Sequence, residues 1–313
     1  MTKVEILKDR ARQLARARAF FSERGILEVD CPLLTSQASV DLHIDLISAL
    51  FNGQETRYLH SSPEYGMKRL LSQGIGDCYQ LAHVFRDGEV GTRHNPEFMM
   101  AEWYRVGAEF QSFMEETLEF IRLFLGELPG ELLSYRDAFK QFVGIDPFLA
   151  KEKELIEAVR GSKLPYYPSL LEEDRDALLN FLLAELVEPH LGNDKLTLLA
   201  YYPASQAALA RSEVKEGHAV ALRFEVYYKG VELANGYDEL ADAKEQRRRL
   251  IEANEERAKA GKRQLPLDEA FLAALEEGLP AACGVAVGFD RLMMLRHKKN
   301  DIADVIPFGW VTA

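Results

Sequence analysis

Residues 223–237, RFEVYYKGVELANGY, constrain the fold more than any other stretch of the chain. Two strand-like runs, RFEVYY and VELA, flank Lys229-Gly230, a two-residue hairpin turn. With the turn at that dipeptide, Tyr227 faces Glu232 across the strands and Glu225 faces Ala234. Side chains alternate along a strand, so Glu225 and Glu232 leave the same face, one strand apart. Two adjacent carboxylates repel unless a cation neutralises them. A hard cation such as Mg²⁺, bridging to substrate phosphates, satisfies such a pair. An exposed face with two solvated acids is the alternative. Glu239, seven residues beyond Glu232, adds a third acid nearby.

The rest of the pattern predicts helices and strands without regular βαβ alternation. Leu7, Ala11, Leu14, Ala17 and Phe21 fall at helical spacing, most of the basic residues lie elsewhere on a solvated side, and Gly25 is placed to end the helix. ILEVDCPLL reads as a strand entering a Pro-bounded turn. DCYQLAHVFRDGE and EFMMAEWYRVG read as two strands around a polar loop, followed by a helix from about Phe110 to Leu125. Residues 127–200 mix short helices and turns and carry no motif; they form a candidate inserted subdomain within a single catalytic domain spanning 1–313. A charged helix is expected from about Glu239 to Ala260, with Arg247–Arg249 on a solvated face. GVAVGFDRLMML reads as a strand running into a helix. Neither GxGxxG nor GxxxxGK[ST] is present. The fold class expected is α+β with a mostly antiparallel sheet.

Composition narrows the partners. Lys+Arg of 38 against Asp+Glu of 50 gives a net charge of -12, so no global field draws the chain to nucleic-acid phosphates. The three cysteines, Cys31, Cys78 and Cys283, form no CxxC, which argues against a disulfide scaffold or a cysteine zinc site. No apolar run approaches the roughly 18 residues of a membrane span. The basic N-terminus lacks a signal peptide's apolar run. The expectation is a cytoplasmic protein without membrane partners.

Two more segments carry candidate chemistry. In FRDGEVGTRHNPEF, Arg86 is placed to clamp an anionic oxygen and Phe98 to offer a flat face to a base; a structural Arg–Glu pair in a polar hairpin is the alternative. In GVAVGFDR, Gly284 and Gly288 permit close backbone approach to a ligand, and Arg291 stands at a helix start; there the alternative is a local Asp–Arg pair.

Taken in order, these segments resemble the class II aminoacyl-tRNA synthetases, and the lysyl-tRNA synthetase branch in particular. FFSERGILEVDCPLL is similar to motif 1, FRDGEVGTRHNPEFMMAEWYR to motif 2 and GVAVGFDRLMM to motif 3. HSSPEYGMKRLL and RFEVYYKGVELANGYDEL resemble segments of the lysine branch. Motif 1 begins about twenty residues from Met1, so no anticodon-binding OB-fold is expected. This short architecture is similar to the lysyl-tRNA synthetase paralogues that modify elongation factor P, in which the acceptor is a protein lysine and the preferred donor is (R)-β-lysine.

The resemblance implies a homodimer, ATP and Mg²⁺ as cofactors, and a set of roles. Arg86 and Arg291 are the implied catalytic pair, holding the α-phosphate and the triphosphate. Asp87, Gly88, Asn95, Phe98, Glu232, Leu233 and Gly288 complete the implied ATP site, with Glu225 and Glu232 on the metal. Ser62, Pro63, Glu64, Glu102, Tyr104, Asn235, Glu239 and Ala286 make the implied amino-acid pocket. Acids there suit a substrate with two ammonium groups and one carboxylate. Two positions depart from the synthetases. Asp87-Gly88 replaces the usual Asn-Glu that follows the motif 2 arginine, and Ala286 replaces a glycine, adding a methyl that would crowd an α-amino group. Three competing readings follow from the same fold: a truncated enzyme that charges tRNA, an amide ligase using ammonia, and a non-catalytic regulatory paralogue.

Overall fold

The N-terminal helix begins at a capping box: Glu5 N donates to Thr2 Oγ1 at 3.3 Å, and Thr2 N donates to Glu5 Oε2 at 2.7 Å. Helix α1 therefore spans Lys3–Glu23, and Gly25, at φ 68°, turns the chain out of it. Its buried face is not the apolar stripe that the spacing suggests. Asp9, Arg10 and Gln13 are buried beside Ile6, Ala17, Phe20 and Phe21. The expected solvated basic side is thus interrupted by Arg10, which is paired with Asp290, while Asp9 takes Arg296 at 2.6 Å. Burial of these charges is tolerated because each meets an opposite one.

The computed structural model describes residues 1–37 and 39–313. They divide into one unit of Met1–Gly126 with Glu239–Ala313, and a second of Glu127–Asp238. In chain order, α1 is followed by β1 (Leu27–Glu28), β2 (Leu34–Thr35), β3 (Ser48–Phe51), β4 (Glu55–Leu59), α2 (Glu64–Ser72), β5 (Cys78–Phe85), β6 (Glu97–Val106) and α3 (Phe110–Leu125). The second unit holds β7 (Gly130–Ser134), α4 (Tyr135–Phe142), α5 (Glu152–Gly161), α6 (Arg175–Leu182), β8 (Leu196–Pro203), β9 (Ser212–Lys215), β10 (His218–Tyr228) and β11 (Val231–Asp238). The chain then returns to the first unit with α7 (Ala243–Lys259), α8 (Glu269–Gly278), β12 (Ala282–Gly288) and α9 (Phe289–His297).

In the first unit β1 runs parallel to β5, and β5–β6–β12 are antiparallel. This register sets Gln80 opposite Glu102, Ala286 opposite Glu102 and Gly284 opposite Tyr104. The expected long strand ILEVDCPLL is reduced to Leu27–Glu28, and Leu34–Thr35 joins β4 in a separate small sheet. Behind the main sheet an aromatic core stacks Phe21 on Tyr79 at 4.1 Å and on Phe120 at 5.2 Å, with Trp103 5.1 Å from Phe120. These rings contribute large buried area and fix the strands that carry the polar face. Helix α7 starts later than expected. Asp242 caps it by accepting from Lys244 N and Glu245 N, so Glu239 lies outside it, with its N–H on Ala282 O at 2.9 Å. The arginines 247–249 are not simply solvated; each pairs with Glu269, Glu245 or Glu252.

In the second unit β7 is parallel to β8, while β8–β10–β11 and β9–β10 are antiparallel. Leu178, Leu179 and Leu182 of α6 pack with Tyr135, Phe139, Tyr202 and Tyr227 into its core. Lys229 at φ 52° and Gly230 at φ 63° make the expected tight turn of the primed type. Tyr227 faces Glu232 as expected, but Val226 pairs with Ala234 and Glu225 with Asn235. The expected Glu225–Ala234 pairing is therefore corrected: Leu233 is an extra residue, a β-bulge. The bulge has a consequence. Cross-strand partners share a face, so Glu225, Glu232 and Asn235 all leave the same side, which strict alternation would forbid for residues three apart.

Candidate active site

The acids of the first unit converge around the start of α2. Pro63 occupies the N-cap position, and Glu64 opens the helix. Ser62 Oγ accepts from Glu64 N at 2.9 Å and donates to Glu102 Oε2 at 2.7 Å. Tyr104 OH donates to the other Glu102 oxygen at 2.8 Å. Glu102 is 2% exposed. Burial pushes its pKa up to about 7, Glu64 adds to the rise, and the two hydroxyl donors oppose it. Glu239 is equally buried, and burial raises its pKa to about 8 against the pull of an adjacent ammonium.

That ammonium belongs to Lys68, which the sequence reading did not single out. Its Nζ lies 2.6 Å from Glu64 Oε1 and 2.5 Å from Glu239 Oε2. At these distances both contacts join opposite charges. The one local signal was the Glu64–Lys68 spacing of one helical turn. These contacts bring together Ser62, Glu64, Glu102, Tyr104 and Glu239.

Gly284 serves a different purpose from the one its sequence context suggested. A Cβ there would stand 2.3 Å from Tyr104 Cε1 and 2.4 Å from Glu239 Oε1. The glycine leaves room for the pocket's own side chains rather than for a ligand. Gly288, at the N-cap of α9, has only ordinary contacts, the nearest at 3.6 Å to Arg291. Ala286, opposite Glu102 in register, places its methyl on the pocket side of the sheet.

In the same unit the charges of Arg86 and Arg291 both reach His94, a loop residue to which the motif comparison gave no role. Arg291 bonds His94 Nε2 at 2.8 Å. Burial lowers the pKa of His94, and the Arg291 and Arg86 charges lower it further. Arg86 meets Glu89 only at 3.8 Å, and its Nε is buried without an acceptor among the described residues. Its guanidinium sits 5.2 Å from the Phe98 ring centroid. The local Asp–Arg pair considered for motif 3 does not form: Asp290 takes Arg10 and the N–H of Met99. Asn95 is committed within the chain. Its Nδ2 donates to Glu97 O at 2.6 Å, and its Oδ1 accepts from Trp310 N at 2.8 Å. Asp87 is exposed, and Gly88 turns at φ 76° with nothing within 4 Å of a would-be Cβ.

In the second unit, Glu225 already has a counter-charge. Arg223 pairs with it, and Tyr202 and Tyr227 donate to it at 2.6 and 2.5 Å. The repulsion expected of two neighbouring acids is relieved by this guanidinium. Glu232 is half-buried and its charge reaches the Tyr227 hydroxyl. Asn235 Oδ1 is buried with no donor among the described residues, and Leu233 is 2% exposed. Among the described residues no three His, Cys, Asp or Glu side chains cluster to hold a metal by themselves, and no helix is long and apolar enough to cross a membrane.

Comparison with known proteins identifies the family. The family described as tRNA synthetases class II (D, K and N) matches residues 2–312. Proteins named elongation factor P--(R)-beta-lysine ligase are similar over nearly the whole chain. That of Haemophilus influenzae (strain PittGG) is 45% identical over 311 residues, covering 98% of this chain and 95% of its own. That of Actinobacillus succinogenes is 43% identical with the same coverage, and that of Salmonella gallinarum 45% identical over 96% and 94%. The motif order, the α+β fold and these matches together place the chain in the class II tRNA synthetase family.

Proposed function

We propose that the protein is an AMP-forming ligase that activates (R)-β-lysine, or lysine, and transfers it to the ε-amine of a lysine on elongation factor P. The observation that carries the reading is the pocket of Glu64, Glu102 and Glu239, three carboxylates against the single ammonium of Lys68. Such a surplus of buried negative charge is relieved by a donor bearing two ammonium groups. The names of the similar proteins support the same donor and acceptor.

The donor carboxylate oxygen attacks the α-phosphorus of ATP; the bond to the bridging oxygen breaks and pyrophosphate leaves. Arg86 and Arg291 are assigned to the phosphates, supported by the orphaned Nε of Arg86. Their share is positioning and neutralisation of the charge that builds on the phosphate oxygens. The acceptor amine, once deprotonated, then attacks the adenylate carbonyl, forms an amide and releases AMP. Magnesium is assigned by motif to Glu232 and Glu225. The two carboxylates leave the same face of the hairpin, which suits a hard cation, and a bound ion would supply charge neutralisation at the triphosphate. Leu233, Asn235, Asp87 and Gly88 retain their motif-based assignments. The protein is further proposed to act as a cytoplasmic homodimer.

ATP–pyrophosphate exchange against a panel of diamino acids, followed by the mass shift of purified elongation factor P, tests both steps. Exchange with β-lysine and a one-residue mass gain are expected. Exchange with none of the panel, or charging of total tRNA in place of the protein, would overturn the reading. Arg86→Ala and Arg291→Ala should each slow exchange by roughly two orders of magnitude.

A further inference from the structure

The acid pocket contains a permanent cation. Lys68 is fully buried, and its ammonium lies between Glu64 and Glu239. A lysine so placed is rare unless paired. Burial works against its charge, but Glu239 and Glu64 outweigh burial and hold its pKa above the usual lysine value. The titratable groups that face it are few. Glu64 and Tyr65 share its helix, Glu102 and Tyr104 come from β6, and Glu239 follows β11. Helix α8, which packs on α2, contributes Phe271, stacked on Tyr65 at 4.2 Å, and Asp268, whose carboxylate caps the helix at Phe271 N. No second cation is bonded to the acids of the pocket among the described residues.

We propose that Lys68 is a positioning and specificity-determining residue that pins Glu64 and Glu239 in place and sets the pocket's charge to match a doubly cationic donor. The inference rests on the donor reading above. Glu102 and Glu239 are buried beside a third carboxylate, Glu64, and each neighbouring negative charge raises the cost of ionising the buried two. One fixed ammonium offsets one of them and leaves two negative charges for two donor ammonium groups. It also keeps the carboxylates from closing on a proton instead of on the donor. The geometry suits this role: one ammonium reaches two acids from separate chain segments, which neither acid's own backbone fixes. Lys68 itself acts through those acids and not on the reacting atoms.

The test is ATP–pyrophosphate exchange with (R)-β-lysine from about pH 6.5 to 9, comparing wild type with Lys68→Met and Lys68→Gln, with melting curves for each. Without the ammonium the acids hold protons to higher pH, so the donor KM should rise about tenfold or more near neutral pH and recover toward pH 9. The KM for ATP should stay within about twofold, because Lys68 pairs with the pocket acids and with no phosphate-site residue. Lys68→Arg, which keeps the charge, should retain the wild-type pH profile. An equal deficit at every pH, no deficit, or loss of folding in both neutral variants would make Lys68 a structural residue and overturn the proposal. Wild-type protein that exchanges with no diamino acid would sink the donor reading and this inference with it; normal wild-type exchange with unaltered variants sinks only the inference.

Discussion

Gly284→Ala should damage the donor pocket without touching the phosphate site. The added Cβ would sit 2.3 and 2.6 Å from two Tyr104 ring carbons and 2.4 Å from Glu239 Oε1. Tyr104 is 2% exposed and its hydroxyl is held by Glu102, so the ring has no free space to enter. Overpacking of this kind costs about 1–3 kcal/mol. Displacing the ring also strains a hydrogen bond to a charged group, worth about 1.5–3 kcal/mol. Partial relaxation leaves a net loss of about 3 kcal/mol, which for a chain of this size lowers the melting temperature by roughly 4–5 °C. Calorimetry reads that loss, and pyrophosphate exchange should show a donor KM raised about tenfold or more with the ATP KM little changed. Gly288→Ala is the control: its Cβ meets nothing closer than 3.6 Å, so it should cost no more than about 1 kcal/mol, the ordinary N-cap preference. A Gly284→Ala protein that melts with the wild type and binds donor normally would refute the claim that this glycine exists to admit Tyr104 and Glu239.

Three further outcomes follow from the same geometry. Burial pushes Glu102 up to about 7, so its neutral form persists below that value; the donor KM should fall as pH rises from about 6 to 8, and a flat profile would contradict it. Ala286→Gly removes a methyl opposite Glu102 and should shift the exchange preference from β-lysine toward α-lysine; an unchanged ratio counts against steric selection. Glu225→Gln strips Arg223 of its buried carboxylate and should destabilise the protein by about 3 kcal/mol, read by calorimetry, whereas Glu232→Gln should raise the magnesium needed for exchange. A Glu225→Gln protein that melts with the wild type would remove the structural role given to that acid, and an unchanged magnesium requirement in Glu232→Gln would remove the metal role of the other.

The parts of the fold that were legible in the sequence are those whose cause is local. Helix α3 spans Phe110–Leu125, where its apolar spacing put it, and the Lys229-Gly230 turn adopts the positive φ angles that its hairpin needs. The strand-to-helix passage at β12 and α9 was equally plain. Departures arise where a distant partner decides. Arg10 reads as a surface residue of a basic helix until Asp290, 280 positions away, receives it. The bulge at Leu233 depends on which residues of β10 pair with β11, and a period-2 pattern carries no record of that. Yet it is the bulge that puts Asn235 on the face of Glu225 and Glu232. Lys68 shows the same limit most clearly. Lysine is a strong prior for solvent, and its fourth-neighbour glutamate fits an exposed helix pair just as well. Only Glu239, arriving from the far end of the hairpin, turns that pair into a buried triad. A list of acids from motif comparison therefore overstates the pocket's free negative charge, because the cation that balances it lies in a segment where pattern reading looks for surface. The charge a substrate meets is set by the pair of segments together, and it is this sum, not the count of carboxylates, that a donor must match.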